Sequence, residues 1–450
     1  MAVFSFFSPM SFKVRKIKHR RSQKGPGLSG KKKLLVALLS LLVGGGFLYA
    51  HGSRGGATVA RFLPFSDLSQ DEEGRTNILF LGVAGESEEG GNLSDSIMLA
   101  SIDPSGPSVS FLSLPRDLFV SSKIGDRKVN EIYAAARYKN KKNSQKGLEV
   151  IKDAIARFAD IDVHYGVVVN FHVFQELVDG LGGVDIFVQE DIVDPFYPDA
   201  DYGYQMFLVR EGWQHFDGST ALKYARSRKT TSDYNRAQRQ QQVLMAIKNR
   251  AAEMHLLSDF GKLREMYRAF RENVITDLGI TQVVAMAELA AKLDYSNAVH
   301  AVLNDDPAEK GGFLYTPAQE FFGGQFVLLP ENLKDTQTFV SLVLKQPDIL
   351  LENAQLAVLN GSRIDGKASE TAARLRRMGL HVIEIGNYDS ERPVFEHLIK
   401  DLKEGGMPKT KAFLSTLFEA RVLSPEETTA PIELVSPEGL VDLELILGMN

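Results

Sequence analysis

The strongest constraint on this chain is an apolar segment near its start, because a membrane anchor fixes the side of the bilayer on which the rest folds. Leu34–Ala50 has no charged residue and directly follows three lysines at positions 31–33. In a helix this segment would span about 26 Å, close to the bilayer core of about 30 Å. Ten Lys and Arg residues precede it between positions 13 and 33. By the positive-inside rule, this asymmetry predicts a cytoplasmic N-terminus and main domains outside the cell membrane.

These observations predict three short regions before the first folded domain. They are a basic cytoplasmic tail (1–30), a single-pass transmembrane anchor (31–52) and a polar spacer (53–75). The alternatives are a cleaved signal peptide, for which Leu48-Tyr49-Ala50 is a poor cleavage site, and a buried helix of a soluble domain.

Charge and cysteine content exclude several classes of function. Residues 1–66 carry twelve Lys and Arg and no acidic residue, whereas the remaining 384 residues carry 40 basic and 57 acidic residues, a net charge of −17. An acidic body argues against nucleic acid as a partner, since that binding needs a basic surface. The absence of cysteine excludes disulfides, thiolate catalysis and cysteine zinc sites.

The pattern between residues 76 and 345 predicts an α/β domain. Short apolar runs bounded by turn residues indicate strands, and apolar residues at helical spacing indicate helices. Alternation of the two predicts a central mixed sheet covered by helices on both faces. The predicted strands are Asn77–Val83, Ser96–Ile102, Val109–Leu114, Tyr165–Phe171 and Val184–Val188; the predicted helices are one capped by Ser144, His172–Leu181, one from Asp217 to Arg226, Tyr234–Met254 and Ile280–Leu293.

A second, small α/β domain is predicted over residues 355–448. Its expected strands are Leu356–Leu359, His381–Ile385 and Val441–Leu447, and its expected helices are Ser369–Met378 and Val394–Glu404. Residues 334–353 are predicted to be a linker, so that the second domain would be separable from the first.

Arginine is the residue type that indicates chemistry. Arg116 follows a predicted strand, Arg226 and Arg228 end a predicted helix, and Arg236 shares one face of the next helix with Gln240. Guanidinium groups keep their charge and bind phosphate oxygens in pairs, so their convergence would suit a pyrophosphate. A nearby carboxylate at Asp95 could hold Mg²⁺ against that anion. The alternative is that these arginines form separate surface ion pairs.

The motifs that carry these residues occur in an order that resembles the LytR–CpsA–Psr family of bacterial cell-wall ligases. Residues 355–447 resemble the C-terminal domain that often follows in this family. The motifs are Asn77–Gly82, Ser94-Asp95-Ser96, Leu114–Asp117, Lys128-Val129-Asn130, Val169-Asn170-Phe171, Leu181–Val184, Asp217–Leu222, Tyr224–Arg228 and Asp233–Gln241.

The resemblance implies a Mg²⁺-dependent phosphotransferase that moves a glycopolymer from a polyprenyl-pyrophosphate lipid to a peptidoglycan hydroxyl. Its partners would be that lipid-linked glycopolymer, peptidoglycan and membrane lipid, and its lipid tail would enter an apolar slot. The implied pyrophosphate ligands are Arg116, Arg226, Arg228, Arg236 and Gln240; Asp95 would serve the metal, Asp233 would orient the arginines, and Asp117 would be a base or a supporting group.

This sequence departs from the family pattern in the loop after the first strand. The usual first metal Asp is absent there, and Leu93 stands where an Arg often precedes Ser-Asp. One of Glu86, Glu88 and Glu89 would take the metal role, or metal binding would be weakened. Two other functions therefore stay open: a non-catalytic protein that binds polyprenyl pyrophosphate or regulates envelope assembly, and a lipid-pyrophosphate hydrolase.

Overall fold

The computed structural model describes most of the chain from Leu68 onward. The described residues are 68–85, 91–106, 108–198, 203–227, 233–253, 274–279, 281–283, 285–286, 289, 293, 297–389, 392–403, 405–424, 427, 435–436 and 439–449. The predicted anchor, Glu86, Glu88, Glu89 and Arg228 lie outside them. Within these ranges no helix is both long and apolar enough to cross a membrane.

The first part of the chain is built on a six-stranded mixed sheet. Its strand order is β11-β6-β1-β2-β3-β12, with β1 parallel to β6, β3 parallel to β12 and the other pairs antiparallel. The strands before residue 331 are β1 (Thr76–Val83), β2 (Ser94–Ile102), β3 (Val109–Leu114), β4 (Phe119–Val120), β5 (Arg127–Lys128), β6 (Tyr165–Asn170), β7 (Val184–Val188), β8 (Ile192–Pro198), β9 (Tyr204–Val209), β10 (Gly212–Phe216), β11 (Ile275–Thr276), β12 (Val299–Val302), β13 (Leu314–Tyr315) and β14 (Leu329–Pro330).

Both faces of this sheet are buried, as the sequence predicted. Successive side chains of a strand point to opposite faces. Leu79 and Leu81 therefore join one core cluster, while Ile78 and Phe80 pack in the other. The helices of this part are α1 (Val129–Lys139), α2 (Ser144–Ala159), α3 (Phe171–Gly180), α4 (Gly218–Arg226) and α5 (Asp233–Glu253). The fold class is thus an α/β fold with a mixed sheet.

Helix starts agree with the sequence at one position and differ at another. Asp217 is the N-cap of α4, and its carboxylate accepts a hydrogen bond from the Thr220 amide. The predicted cap Ser144 is instead the first residue of α2, because the Asn143 side chain accepts from the amides of Gln145 and Lys146. Asn and Ser are both good caps, so the sequence alone did not separate these neighbours.

The last part of the chain forms a second sheet. Its order is β16-β15-β21-β17-β18. Its strands are β15 (Gln355–Asn360), β16 (His381–Asn387), β17 (Leu398–Asp401), β18 (Arg421–Val422), β19 (Val435–Ser436), β20 (Gly439–Leu440) and β21 (Leu443–Leu447), and its helices are α8 (Lys367–Arg377) and α9 (Pro408–Phe418).

One helix predicted in this part is wrong. The segment expected as helix 394–404 contains β17, which pairs antiparallel with β21 and places Ile399 opposite Leu445. Apolar residues at 394, 395, 398, 399 and 402 fit a helical period, but the open edge of β21 and the complete burial of Ile399 favour a strand.

The predicted linker at 334–353 is also corrected. It contains α6 (Leu333–Leu344) and α7 (Pro347–Leu351), and Phe339, Val340 and Leu344 are fully buried. The same core cluster contains Leu79 of the first sheet and Leu356 of the second. Asp335 accepts two hydrogen bonds from Arg374 of α8, which adds a polar tie. The two sheets are therefore joined through buried helices rather than through an open linker.

Candidate functional site

The candidate site lies at one edge of the first sheet, where several strands end together. Because β1, β3 and β6 run in the same direction, their carboxyl ends meet at the amino end of β2. This edge brings together Gly82 of β1, Asp95 and Ser96 of β2, Arg116 two residues after β3, and Asn170 at the end of β6. Ligand sites of open α/β sheets commonly occupy such an edge.

A cluster of opposite charges occupies one side of this edge. A terminal nitrogen of Arg116 lies 2.8 Å from the Asp95 carboxylate, and its Nε lies 3.4 Å from that of Asp117. Lys128 Nζ lies 2.9 Å from the other oxygen of Asp117. Burial lowers the pKa of Arg116, but the hydrogen bond to Asp95 and the charges of both carboxylates outweigh burial and raise it overall. Asp95 and Asp117 therefore orient the Arg116 side chain, which keeps its positive charge.

Lys128 also belongs to this charge cluster, although the sequence analysis gave it no role in the site. It belongs to the Lys128-Val129-Asn130 motif, so the signal was present in the sequence. The Asn130 amide donates to the Arg116 carbonyl at 3.2 Å, and the Val129 amide donates to the Leu118 carbonyl at 2.7 Å. The start of α1 thus fixes the backbone of the loop that carries Arg116.

Gln240 connects the sheet edge to two helices. Ser96 Oγ donates to Gln240 Oε1 at 2.9 Å, and Gln240 Nε2 donates to the Ala225 carbonyl near the end of α4 at 3.4 Å. Opposite Ser96 in the sheet stands Gly82, where an added Cβ would come within 3.0 Å of Ser96 Cβ. Glycine at this position lets β1 approach Ser96 without displacing its hydroxyl.

Arg226 lies at the end of α4 against aromatic rings. Its guanidinium carbon is 4.1 Å from the centre of the Phe171 ring and 5.9 Å from that of Tyr197. Such stacking holds a guanidinium in place without neutralising its charge. Burial raises the pKa of Tyr197, although the charge of Arg226 opposes this shift. Among the side chains that the structure describes, no carboxylate lies within ion-pair distance of Arg226.

Arg239 has a role that the sequence did not reveal. Its side chain is only 6% exposed, and its Nε donates to the Tyr224 carbonyl at 3.1 Å. A terminal nitrogen also donates to the Ser227 carbonyl. The last carbonyls of a helix lack partners within the helix, so Arg239 satisfies the end of α4 and joins it to α5. From the sequence alone, its position three residues after Arg236 predicts only that it points partly away from the face shared by Arg236 and Gln240.

An apolar slot lies beside Arg226 and Gln240, and we call this polar end of the slot its mouth. It is a cavity of about 170 Å³ between one face of the sheet and helices α3, α4 and α5. The family resemblance implied such a slot without assigning residues to it. Side chains that line it include Ile78, Phe80, Met98, Ala100, Phe111, Phe174, Leu222, Val243 and Ile247, with Ser96, Asn170, Arg226 and Gln240 as its polar members.

The predicted site residues fall into three groups. Asp95, Arg116 and Asp117 form the charge cluster, and Arg226 and Gln240 line the slot. Asp233 and Arg236 lie in the first turn of α5, but the structure does not describe their side chains. The ion-pair alternative fits Arg116, which contacts two acids, but not Arg226, which lies on aromatic rings.

The donor set at Asp95 allows a limited test of the implied Mg²⁺ site. No group of three or more acidic or histidine side chains lies close enough to hold a metal within the described ranges. Mg²⁺ commonly takes one or two protein carboxylates and completes its shell with phosphate oxygens and water. Asp95, which is 40% exposed, fits the role of one such ligand, provided that it releases Arg116 or shares an oxygen with it.

The fold and site together define a class of protein: an α/β domain with an apolar slot that opens beside cationic and amide side chains at the sheet edge. The chain belongs to the LytR_cpsA_psr family, whose model matches residues 49–308. This confirms the family resemblance found in the sequence. The match ends before the second sheet, so the C-terminal assignment stays a prediction.

Individual relatives are similar at a moderate level. The polyisoprenyl-teichoic acid–peptidoglycan teichoic acid transferase TagV of Bacillus subtilis (strain 168) is 29% identical over 216 residues, which are 47% of this chain and 52% of TagV, so this chain spans about half the length of TagV. The enzyme TagU of Bacillus mycoides (strain KBAB4), which has the same transferase name, is 26% identical over 57% of this chain and 83% of TagU.

A longer match is to the cell wall biosynthesis protein LcpA of Corynebacterium glutamicum, at 26% identity over 78% of this chain and 71% of LcpA. Among solved structures, the crystal structure of B. subtilis TagV aligns with 61% of this chain and 98% of that chain, at 23% identity and a TM-score of 0.46.

Proposed function

We propose that this protein is a phosphotransferase that moves a glycopolymer from a polyprenyl-pyrophosphate lipid to a hydroxyl of peptidoglycan. The observation that carries the proposal is the apolar slot that opens at Arg226 and Gln240, beside the Asp95–Arg116 pair. An isoprenoid tail fits a slot of this chemistry, and a pyrophosphate fits the cations at its mouth. Membership of the family and the names of TagV, TagU and LcpA support the same function.

The residues at the slot mouth have separate parts in this reaction. Arg226 would contact pyrophosphate oxygens from its place on the Phe171 ring, while Gln240 holds the slot wall to the sheet through Ser96. Arg116 would turn from Asp95 toward the phosphate when the substrate enters. Asp117, which contacts both Arg116 and Lys128, is suited to hold these cations at the phosphate. Arg228 and Arg236 remain candidates by their motifs.

The bond changes in the transfer are balanced without a covalent enzyme intermediate. The acceptor hydroxyl oxygen attacks the phosphorus that carries the sugar, the bond to the second phosphate breaks, and polyprenyl monophosphate leaves. The hydroxyl proton is released, and the glycopolymer is joined to peptidoglycan by a phosphodiester. Mg²⁺, held by Asp95 and one acid of the 86–89 loop, would supply additional neutralisation of phosphate charge.

We place this reaction outside the cell membrane, at the end of an N-terminal anchor. The one-sided basic residues before Leu34 support that location. The second sheet would be an interaction or wall-binding domain attached to the catalytic domain.

Turnover with and without peptidoglycan tests the proposal. The full chain is incubated with a lipid-linked oligosaccharide and Mg²⁺, and the products are identified by mass spectrometry. The proposal predicts oligosaccharide joined to peptidoglycan together with polyprenyl monophosphate, and much slower turnover for Arg116→Lys than for the matched control Arg157→Lys on α2. Release of the oligosaccharide phosphate without peptidoglycan would indicate a hydrolase, and binding without any product would indicate the non-catalytic alternative.

A further inference from the structure

The feature outside the proposed site with the clearest chemistry is a long β-ribbon. β7 pairs antiparallel with β10, and β8 pairs antiparallel with β9. Only Gln189–Asp191 separate β7 from β8, and only Arg210 and Glu211 separate β9 from β10. Residues 184–198 and 204–216 therefore form a single two-stranded ribbon, which we call the aromatic ribbon.

The aromatic ribbon has one buried face and one exposed apolar face. Its inward residues, such as Ile186 and Phe207, belong to the core cluster under the sheet. On the outward face Phe187 stands opposite Trp213 with ring centres 5.7 Å apart, and Val193 stands opposite Leu208. The exposed apolar side chains of this face are Phe187, Val193, Phe196, Tyr204, Met206, Leu208 and Trp213. A contiguous patch of this kind on an otherwise acidic body indicates an interaction surface.

We propose that the outward face of the aromatic ribbon rests in the interface of the lipid bilayer. This inference builds on the proposed function, because a lipid-linked substrate has to pass from the bilayer into the slot. Trp and Tyr favour the headgroup region, where an apolar ring and a polar tip are both satisfied, and the neighbouring Phe, Leu and Met add apolar area that a bilayer would cover.

The position of the ribbon favours a bilayer over a second copy of the chain. Tyr197 on its inward face lies beside Arg226 at the slot mouth, and Asp194 accepts a hydrogen bond from Ser227 at 2.8 Å. A bilayer on the outward face would therefore lie close to the slot opening. The chain also enters the described fold at Leu68, which packs in the same core cluster as the inward face of the ribbon.

The length of chain before Leu68 is compatible with this placement. Residues 51–67 separate the apolar segment from Leu68, and this stretch could reach at most about 60 Å when extended. An anchor in the bilayer would therefore keep the fold, and with it the ribbon, within about 60 Å of the membrane.

The charges around the patch determine which lipids it should prefer. Two ion pairs lie along the ribbon: His215 contacts Asp185 at 2.6 Å, and Arg210 contacts Asp191 at 2.6 Å. With a body of net charge −17 after residue 66, attraction to anionic headgroups is not the driving force. The driving force is instead the insertion of apolar side chains into the bilayer. Contact should therefore occur with zwitterionic lipid and should survive high salt.

Trp213 makes the test direct, because it is the single tryptophan of the chain. The full chain is reconstituted into phosphatidylcholine vesicles, and vesicles that float with protein are collected. Tryptophan emission is compared in plain lipid and in lipid brominated near the headgroup or near the chain end. We expect emission to be lost with brominated lipid, more with shallow than with deep bromine, and to the same extent at low and high salt.

A relocated tryptophan provides the matched control. In the double variant Trp213→Tyr and Tyr138→Trp, the probe lies at the end of α1, whose residues pack on the opposite sheet face, and Tyr138 is 80% exposed. Its emission should not change with brominated lipid. Unchanged Trp213 emission in brominated lipid would overturn the proposal, as would failure of the protein to float. Protection of Trp213 from aqueous iodide without quenching by lipid would indicate a second copy instead. None of these outcomes depends on turnover, so the proposed function is tested separately.

Discussion

Replacing Arg239 with methionine should damage ligand binding from a position behind the site. Methionine keeps an unbranched apolar chain but cannot donate to the carbonyls of Tyr224 and Ser227. A buried carbonyl left without a donor costs about 1–3 kcal/mol. Burial lowers the pKa of Arg239, and the cost of burying its charge disappears in the variant, which offsets part of the loss.

The net cost is therefore about 2–4 kcal/mol for the two carbonyls together. It falls on the end of α4, the element that holds Arg226 on the Phe171 ring. At about 1.4 kcal/mol per tenfold change, a cost that appears wholly in binding lowers the affinity for a polyprenyl pyrophosphate by roughly thirty- to several-hundredfold. Arg239→Lys keeps a charge and should lie between wild type and Arg239→Met.

Calorimetric titration with a short-chain polyprenyl pyrophosphate measures this effect, and thermal unfolding is recorded alongside it. The matched control is Arg250→Met on the same helix, since Arg250 also donates to a backbone carbonyl, that of Leu181, at 3.1 Å. The control should lose stability but keep affinity. Wild-type affinity for Arg239→Met, with stability lowered as in the control, would refute the claim that Arg239 positions the slot mouth.

Three further outcomes are expected. Asp95→Asn should weaken Mg²⁺-dependent turnover, because a carboxylate oxygen is a ligand that Mg²⁺ prefers. If the triple alanine variant of Glu86, Glu88 and Glu89 keeps the wild-type affinity for Mg²⁺, no acid of that loop is a ligand. Burial lowers the pKa of His164, whose Nδ1 accepts a hydrogen bond from the Asn77 amide. Below about pH 6.5 the unfolded state therefore binds more protons than the folded state, and the free energy of unfolding should fall as the pH falls. Denaturant titrations at several pH values should show a weaker pH dependence for His164→Asn. Truncation after Lys345 should lower thermal stability, because α6 would lose the Arg374–Asp335 contact and its apolar cover; an unchanged melting temperature would restore the prediction of a separable domain.

The parts of the fold that the sequence predicted are those with local signals. Strands β1, β2 and β3 are short apolar runs, and the turn residues at 103–107 separate two of them. The Asp217 cap and the end of α4 at Arg226 were equally clear. Continuous apolar strands that alternate with helices also predicted burial on both faces of the sheet, as the two core clusters confirm.

The parts that the sequence did not predict depend on tertiary contacts. The spacing of apolar residues at 394–404 fits a helix, but pairing with the edge of β21 makes part of this segment a strand. Arg239 could not be distinguished from an exposed arginine, because helical spacing gives a direction but not what lies there. The lining of the slot combines residues from β1 to α5, so no contiguous motif contains it.

The most direct test of the central claim is mass spectrometry of lipid that copurifies with the full chain from its native membrane. A slot that holds an isoprenoid tail below a pyrophosphate site predicts a polyprenyl-pyrophosphate species in wild type. Ala100→Phe adds a ring to the slot lining and should remove that lipid, whereas Arg157→Lys should retain it. Wild-type protein without any isoprenoid phosphate, or Ala100→Phe with as much of it as wild type, would contradict the account.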